Sequence, residues 1–273
     1  RLNEQSWNMK KNNKRKKLPV KLITVIIIIF LALLFIISYI YRIMSTSDYF
    51  RVTDIVTKVP NVVDLSYLKG RNIFSIDLRK EADYILDYCP DFSKVRLAKV
   101  LPNRIFVDFI KREPVAFVRL YKYYFVDENA VFFYSSSEPQ DLELPIIAGL
   151  ETKVFAVKPG KKYNVRELAL ALNIIKEAKS NKILKDYKIK KIDVANPSNT
   201  LVFITPPSNL TDYSNGKQVL APEYLEVRMG DDDIKNRIIF LGGVVAQSNK
   251  NVSNIKYIDL RFEEPVVKFK DAK

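Results

Sequence analysis

The chain contains no histidine, one cysteine and only seven glycines in 273 residues. Without histidine there is no Ser-His-Asp triad, no Cys-His dyad and no histidine-ligated metal site. The single Cys89 excludes an intramolecular disulfide and any cysteine cluster that could hold a metal. No glycine-rich phosphate loop is present. What remains is a composition 48% hydrophobic and 28% charged, which excludes wholesale disorder and leaves room for about two domains.

The net charge of +14 is distributed unevenly. Residues 1–21 carry eight Lys or Arg and one acid, Glu4. Leu22 to Tyr41 then runs without a single charge, LITVIIIIFLALLFIISYIY. At about 1.5 Å per residue, that run matches the hydrocarbon thickness of a bilayer. It exceeds the ~7–15-residue apolar core of a cleaved signal peptide, and Tyr39-Ile40-Tyr41-Arg42-Ile43-Met44 at its end offers no small-x-small pair. The pattern predicts an uncleaved single-span anchor. Its basic flank predicts a cytoplasmic N-terminus, with residues 42–273 on the other side of the membrane. The tail is thus read as a topology signal that also touches anionic lipid, not as a nucleic-acid-binding arm.

Beyond a polar linker at 42–48, residues 49–118 predict a β-α-α-β-β unit. Its elements are a strand over Tyr49–Val59, with Phe50, Val52 and Val56 as buried candidates, and a short helix over Asp64–Gly70. A second helix follows over 75–86, burying Ile85 and Leu86 and stopping at Pro90, and then strands over Val95–Leu101 and Ile105–Ile110. Residues 119–270 read as strands at Tyr121–Val126, Ala130–Tyr134, Leu144–Gly149, Lys190–Val194, Thr200–Thr205, Gln218–Leu220, Glu223–Arg228, Lys256–Phe262 and Val266–Lys270. Two helices interrupt them. One opens with the capping box Asn164-Val165-Arg166-Glu167 and buries Leu168, Ala171, Leu172 and Ile175; the other covers Lys235–Leu241. The expected fold class is α+β: a transmembrane helix, the β-α-α-β-β unit, then an antiparallel strand-rich α+β domain, with residues 271–273 as a tail.

Several motifs occur in order along the chain. They are Gly70-Arg71-Asn72-Ile73-Phe74-Ser75-Ile76-Asp77, Leu101-Pro102-Asn103-Arg104, Arg112-Glu113-Pro114-Val115-Ala116 and Val126-Asp127…Val131-Phe132. Leu144-Pro145…Gly149 and Tyr257-Ile258-Asp259-Leu260-Arg261-Phe262 complete the set. Together with the anchor they resemble the bacterial cell-division family FtsQ, also called DivIB, over about residues 22–270. Two departures stand out: Lys111 replaces a usual Glu, and Ala130 replaces a usual Gly, so the Asp127–Ala130 turn is open to a different type. Pro206–Pro222 reads as an insertion.

The resemblance implies that residues 49–118 form a POTRA (polypeptide-transport-associated) domain and that the second domain is of FtsQ type. It further implies a non-enzymatic membrane scaffold at the division septum that binds the FtsB–FtsL pair and links septum assembly to septal peptidoglycan synthesis. By position, the partner site falls on Arg261, Phe262, Val266, Val267, Lys268 and Phe269. Arg261 is the charged contact, Phe262 an apolar anchor, and the last strand an edge open to strand addition. The alternative reading of Phe262 and Val267 is ordinary core. No cofactor, metal, nucleic acid or small-molecule substrate is implied.

Two other functions compete with this one. A POTRA-type chaperone or secretion module would favour a C-terminal membrane barrel, which residues 119–273 do not resemble. An envelope hydrolase or transferase would need a nucleophile and its base. The two S-x-x-K tetrapeptides, Ser66–Lys69 and Ser253–Lys256, stand without K-T-G or S-D-N. Asp231-Asp232-Asp233 is read as partnering a helix N-terminus in preference to a metal.

Overall fold

The fold is taken from a computed structural model, which describes residues 20–59, 62–135, 143–205, 224–248 and 252–270. The basic tail to residue 19, the expected strand at Gln218–Leu220, the Pro206–Pro222 segment and the 271–273 tail fall outside the described residues.

Two compact units are present. The first comprises 20–56, Leu65–Asp77 and Ala98–Phe106, and the second comprises Thr57–Asp64, Leu78–Leu97 and the chain from Val107 onward. The first unit begins with helix α1, Val20–Thr46, whose apolar residues from Leu22 to Ile43 are exposed. It is long and apolar enough to cross a membrane. Residues 42–46, expected to begin the polar linker, instead continue the helix. Ser45 Oγ and Thr46 Oγ1 bond back to the carbonyls of Tyr41 and Arg42, so these polar residues add no break.

A 3-10 turn at Asp48–Phe50 follows, and strand β1 is only Asp54–Thr57. The eleven-residue strand expected from Tyr49 is thereby shortened at both ends. Val52 is buried, whereas Phe50 is half-buried and Val56 is exposed. The helix expected over Asp64–Gly70 is a single 3-10 turn at Ser66–Leu68. Seven residues ending in Gly70, at φ +78°, are too few to offset the cost of nucleating an α-helix.

Helix α2, Leu78–Tyr88, belongs to the second unit; Ile85 is buried and Leu86 is partly so. Strands β2, Phe92–Val100, and β3, Arg104–Lys111, follow with a turn between them. With β1 they form a three-stranded sheet in the order β1-β3-β2.

The rest of the second unit is a nine-stranded sheet. Its strands are β4 Ala116–Arg119, β5 Tyr123–Val126, β6 Phe132–Tyr134, β7 Ile146–Ala148, β8 Lys188–Asp193, β9 Leu201–Thr205, β10 Leu225–Arg228, β11 Ile255–Asp259 and β12 Val266–Phe269. The order across the sheet is β12-β11-β10-β9-β8-β7-β4-β5-β6.

The sheet is mixed, which corrects the antiparallel expectation. β4 pairs parallel with β7, β7 with β8, and β10 with β11, while the other neighbours run antiparallel. For the β7–β8 and β10–β11 pairs, two helices supply the reason. Helix α3, Arg166–Ser180, lies between β7 and β8, and helix α4, Ile234–Gln247, lies between β10 and β11. A helical crossover returns the chain to the same end of the sheet, so the strands it joins run parallel.

Both helices pack on one face. A row of directly paired residues, Tyr124, Val118, Ile147, Ile192, Val202, Val227, Ile258 and Val267, crosses the sheet beneath them. All but Val267 are buried outright, and Val267 packs against the same core. Helix α3 contributes Leu168, Leu170, Ala171, Ile174, Ile175 and Ala178, while Leu172 is only partly buried. The capping box expected at its start does not form. Val165 occupies the N-cap position without a side-chain bond, and Glu167 is held by its own backbone N–H and by Lys153.

Candidate functional site

The last hairpin is built on a short, strongly paired loop. β11 and β12 run antiparallel with Tyr257 opposite Lys268, Ile258 opposite Val267 and Asp259 opposite Val266, and an irregularity shifts the register between Ile255 and Tyr257. Leu260 is buried, and its N–H donates to the Arg228 carbonyl at 2.8 Å. The chain then leaves the sheet, so the expected strand over Lys256–Phe262 ends at Asp259. Pro265, which has no N–H to give to a ladder, sits immediately before β12.

Arg261 fixes this loop. Its Nη2 lies 2.6 Å from Asp259 Oδ2, its Nε 2.9 Å from Asp259 Oδ1, and its Nη1 3.0 Å from Asn199 Oδ1. Its backbone N–H also donates to Asp259 Oδ1. The bidentate guanidinium holds the buried Asp259 carboxyl below the usual aspartate range. Phe262 follows and is 61% exposed, and the Arg261 guanidinium lies 5.9 Å from its ring centroid. The reading of Phe262 as core is therefore corrected, whereas Val267 does pack against the core.

β12 is the terminal strand of the sheet and, among the described residues, pairs only with β11. Val266, Lys268 and Phe269 are exposed. The six residues singled out in the sequence are thus gathered within one hairpin. Arg261 is committed to Asp259 and Asn199, Phe262 projects from the loop, and Val266–Phe269 form the edge.

The sheet face opposite the helices carries a feature that sequence reasoning missed. Paired residues form a row across all nine strands: Phe133, Phe125, Phe117, Ile146, Lys191, Phe203, Glu226, Tyr257 and Lys268. The three phenylalanines are buried as a cluster. From Lys191 to Lys268 the row turns charged and aromatic. Lys191 lies 5.6 Å over the Phe203 ring, and Arg228 lies 4.0 Å over Tyr257 while bonding Glu226 at 2.9 Å. Beside Phe203 a cleft of about 430 Å³ is lined by Leu144, Ile146, Lys188, Lys191, Phe203 and Tyr224. The alignment of these residues comes from pairing between distant strands, which no local pattern encodes.

The three consecutive acids are each paired within the fold. Asp231 pairs with Arg166 at 2.6 Å, Asp232 with Arg237, and Asp233 accepts from Asn236 at 2.7 Å. Each acid has its own donor, and no metal-binding cluster occurs among the described residues. Ser66 opens the 66–68 turn, and the Ser253 side chain lies outside the described residues. Cys89 is buried at the end of α2, and burial pushes its thiol up.

No family model matches the chain. It is 24% identical over 239 residues to the cell division protein FtsQ of Geotalea daltonii, covering 84% of this chain and 78% of the relative. To FtsQ of Syntrophotalea carbinolica it is 22% identical over 240 residues, covering 85% and 78%. FtsQ of Myxococcus fulvus matches at 27% over 104 residues, 38% of this chain and 36% of the relative. The first two similarities each cover about 85% of this chain, which also carries an apolar N-terminal helix and strand-rich sheets, and they support its assignment to the FtsQ/DivIB family of cell-division proteins.

Proposed function

We propose that this protein is a non-enzymatic scaffold of the division machinery. It is anchored in the cell membrane by α1 with its N-terminus in the cytoplasm, and it captures an FtsB–FtsL pair by strand addition to β12 at the septum. Residues 49–118 act as the POTRA-type unit, whose last residues run into β4, and the nine-stranded sheet to which β4 belongs acts as the partner-binding domain, which links septum assembly to septal peptidoglycan synthesis. The observation that carries this reading is the edge itself. Among the described residues β12 has a ladder partner on one side only, and its exposed Val266 and Phe269 flank that open side. An unpaired strand edge offers backbone N–H and C=O groups to an incoming strand, and exposed apolar side chains supply anchors. Arg261 acts by holding the 259–262 loop so that Phe262 projects beside the edge.

The test is binding of a purified FtsB–FtsL pair to the full chain in detergent or lipid. Val267→Pro removes a backbone donor from the edge strand and should abolish capture. Phe262→Ala should weaken it by about 2 kcal/mol. Cooperative melting of each variant serves as the control, because Val267 also touches the core. Wild-type binding by folded variants would move the site elsewhere.

A further inference from the structure

The junction between α1 and the rest of the first unit is held by a side chain from a distant segment. The one residue between the end of α1 at Thr46 and the 3-10 turn starting at Asp48 is Ser47, at φ −68° and ψ 134°. A hinge in the anchor would have to open at this break. Asn72, in the turn that follows Gly70, spans it. Its Nδ2 donates to the Met44 carbonyl at 3.0 Å, on the helical side, and lies 3.5 Å from the Ser47 carbonyl at the break. Its Oδ1 accepts from the Phe74 N–H at 2.9 Å, which fixes the amide's orientation.

The surrounding backbone is zipped as well. Val52 N–H donates to Arg71 O, Gly70 N–H to Val52 O, and Ile73 N–H to Phe50 O, all at 2.8–2.9 Å. Arg51 and Asn72 form an antiparallel bridge, and the Phe50 and Phe74 rings stack edge-on at 5.1 Å. Ser47 N–H still bonds the Ile43 carbonyl at 3.0 Å. Residues 48–52 are therefore fastened to 70–74, and the Asn72 amide links that body to the last turn of α1. A carbonyl near a helix C-terminus has no intrahelical donor, so a side-chain donor there satisfies it and fixes the helix end.

We propose that Asn72 is a positioning residue that locks the membrane helix to the first folded unit, so that the two tilt in the bilayer as one body. The proposal depends on α1 spanning the membrane and is independent of any partner at β12.

The test uses full-length protein in phosphatidylcholine–phosphatidylglycerol nanodiscs. Spin labels are placed at Ile28→Cys, on the exposed face of α1, and at exposed Lys69→Cys, in a Cys89→Ala background. The inter-label distance distribution should be single and narrow. Inserting Gly-Ser after Thr46 calibrates an unlocked junction. Asn72→Asp keeps an oxygen for Phe74 N–H but turns the donor into an acceptor facing two carbonyls, and it should widen the distribution about twofold, towards the Gly-Ser variant. If the Asn72→Asp change unfolds the unit, Asn72→Ser retains a turn-forming oxygen, cannot reach Met44, and should widen it likewise. A broad wild-type distribution, or a folded Asn72 variant as narrow as wild type, would overturn the proposal.

Discussion

The guanidinium of Arg112 donates to the carboxylate of Asp127, fifteen residues further on, where both side chains are buried. Arg112 also donates through Nε to the Pro90 carbonyl at 3.2 Å and through Nη2 to Phe92 O at 3.0 Å. Asp127 Oδ1 accepts from the N–H groups of Asn129 and Val131, both at 2.9 Å. One ion pair thus ties the end of α2, the start of β2, the residues leading into β4 and the β5–β6 turn. It joins two motifs, Arg112-Glu113-Pro114 and Val126-Asp127, that have no evident connection in the sequence.

Removing one partner of a buried pair leaves the other charge unmatched. Arg112→Ala should lower stability by about 3–5 kcal/mol in urea denaturation. Arg112→Lys retains the charge but loses the planar fork that reaches three acceptors, and it should recover only part of the loss. Wild-type stability in Arg112→Ala would show the pair to be dispensable.

Ala130 adopts φ +61° in the Asp127–Val131 turn, a left-handed conformation that a Cβ disfavours. The turn keeps the geometry that a glycine would ease, although this chain has alanine there. Ala130→Gly should therefore stabilise, by about 0.5–1 kcal/mol after the added freedom of the unfolded chain is counted. A rise in thermal midpoint is the expected reading, and a fall would show that the Ala130 methyl contributes more by packing than it costs in strain.

Gly149, at φ +89°, ends the segment after β7, and a Cβ there would lie 2.3 Å from the Ala195 backbone nitrogen. Backbone cannot move aside as a flexible side-chain tip can. Gly149→Ala should cost more than about 3 kcal/mol, combining strained dihedrals with a main-chain clash. Denaturant midpoints of purified protein check it.

The Asp259 carboxyl, held low by Arg261, makes part of the stability pH-dependent. A depressed carboxylate contributes fully above its unfolded-state value. The contribution is lost as pH falls through the lower folded-state value. Below about pH 4, wild-type stability should fall more steeply than that of Asp259→Asn. Parallel acid titrations of the two proteins would show that the pair adds no such term.

Sequence alone was enough for features set by local chemistry. A charge-free run from Leu22 to Tyr41 has one low-energy fate, because helical hydrogen bonding satisfies its backbone in a lipid environment. Gly70 and Pro90 punctuate the chain wherever it folds, and period-two and period-3.6 patterns located most strands and the two helices of the second unit's sheet. Tertiary structure decided what depends on residues far apart. Ser45 and Thr46 look like linker residues but bond back into α1, and Asn72 finds its acceptors 28 and 25 residues away. Strand direction followed from where α3 and α4 return the chain, which turned an expected antiparallel sheet into a mixed one. The row from Phe133 to Lys268 exists only once nine strands are in register, since local propensity acts over a few residues and register is set by pairing and burial across the whole sheet.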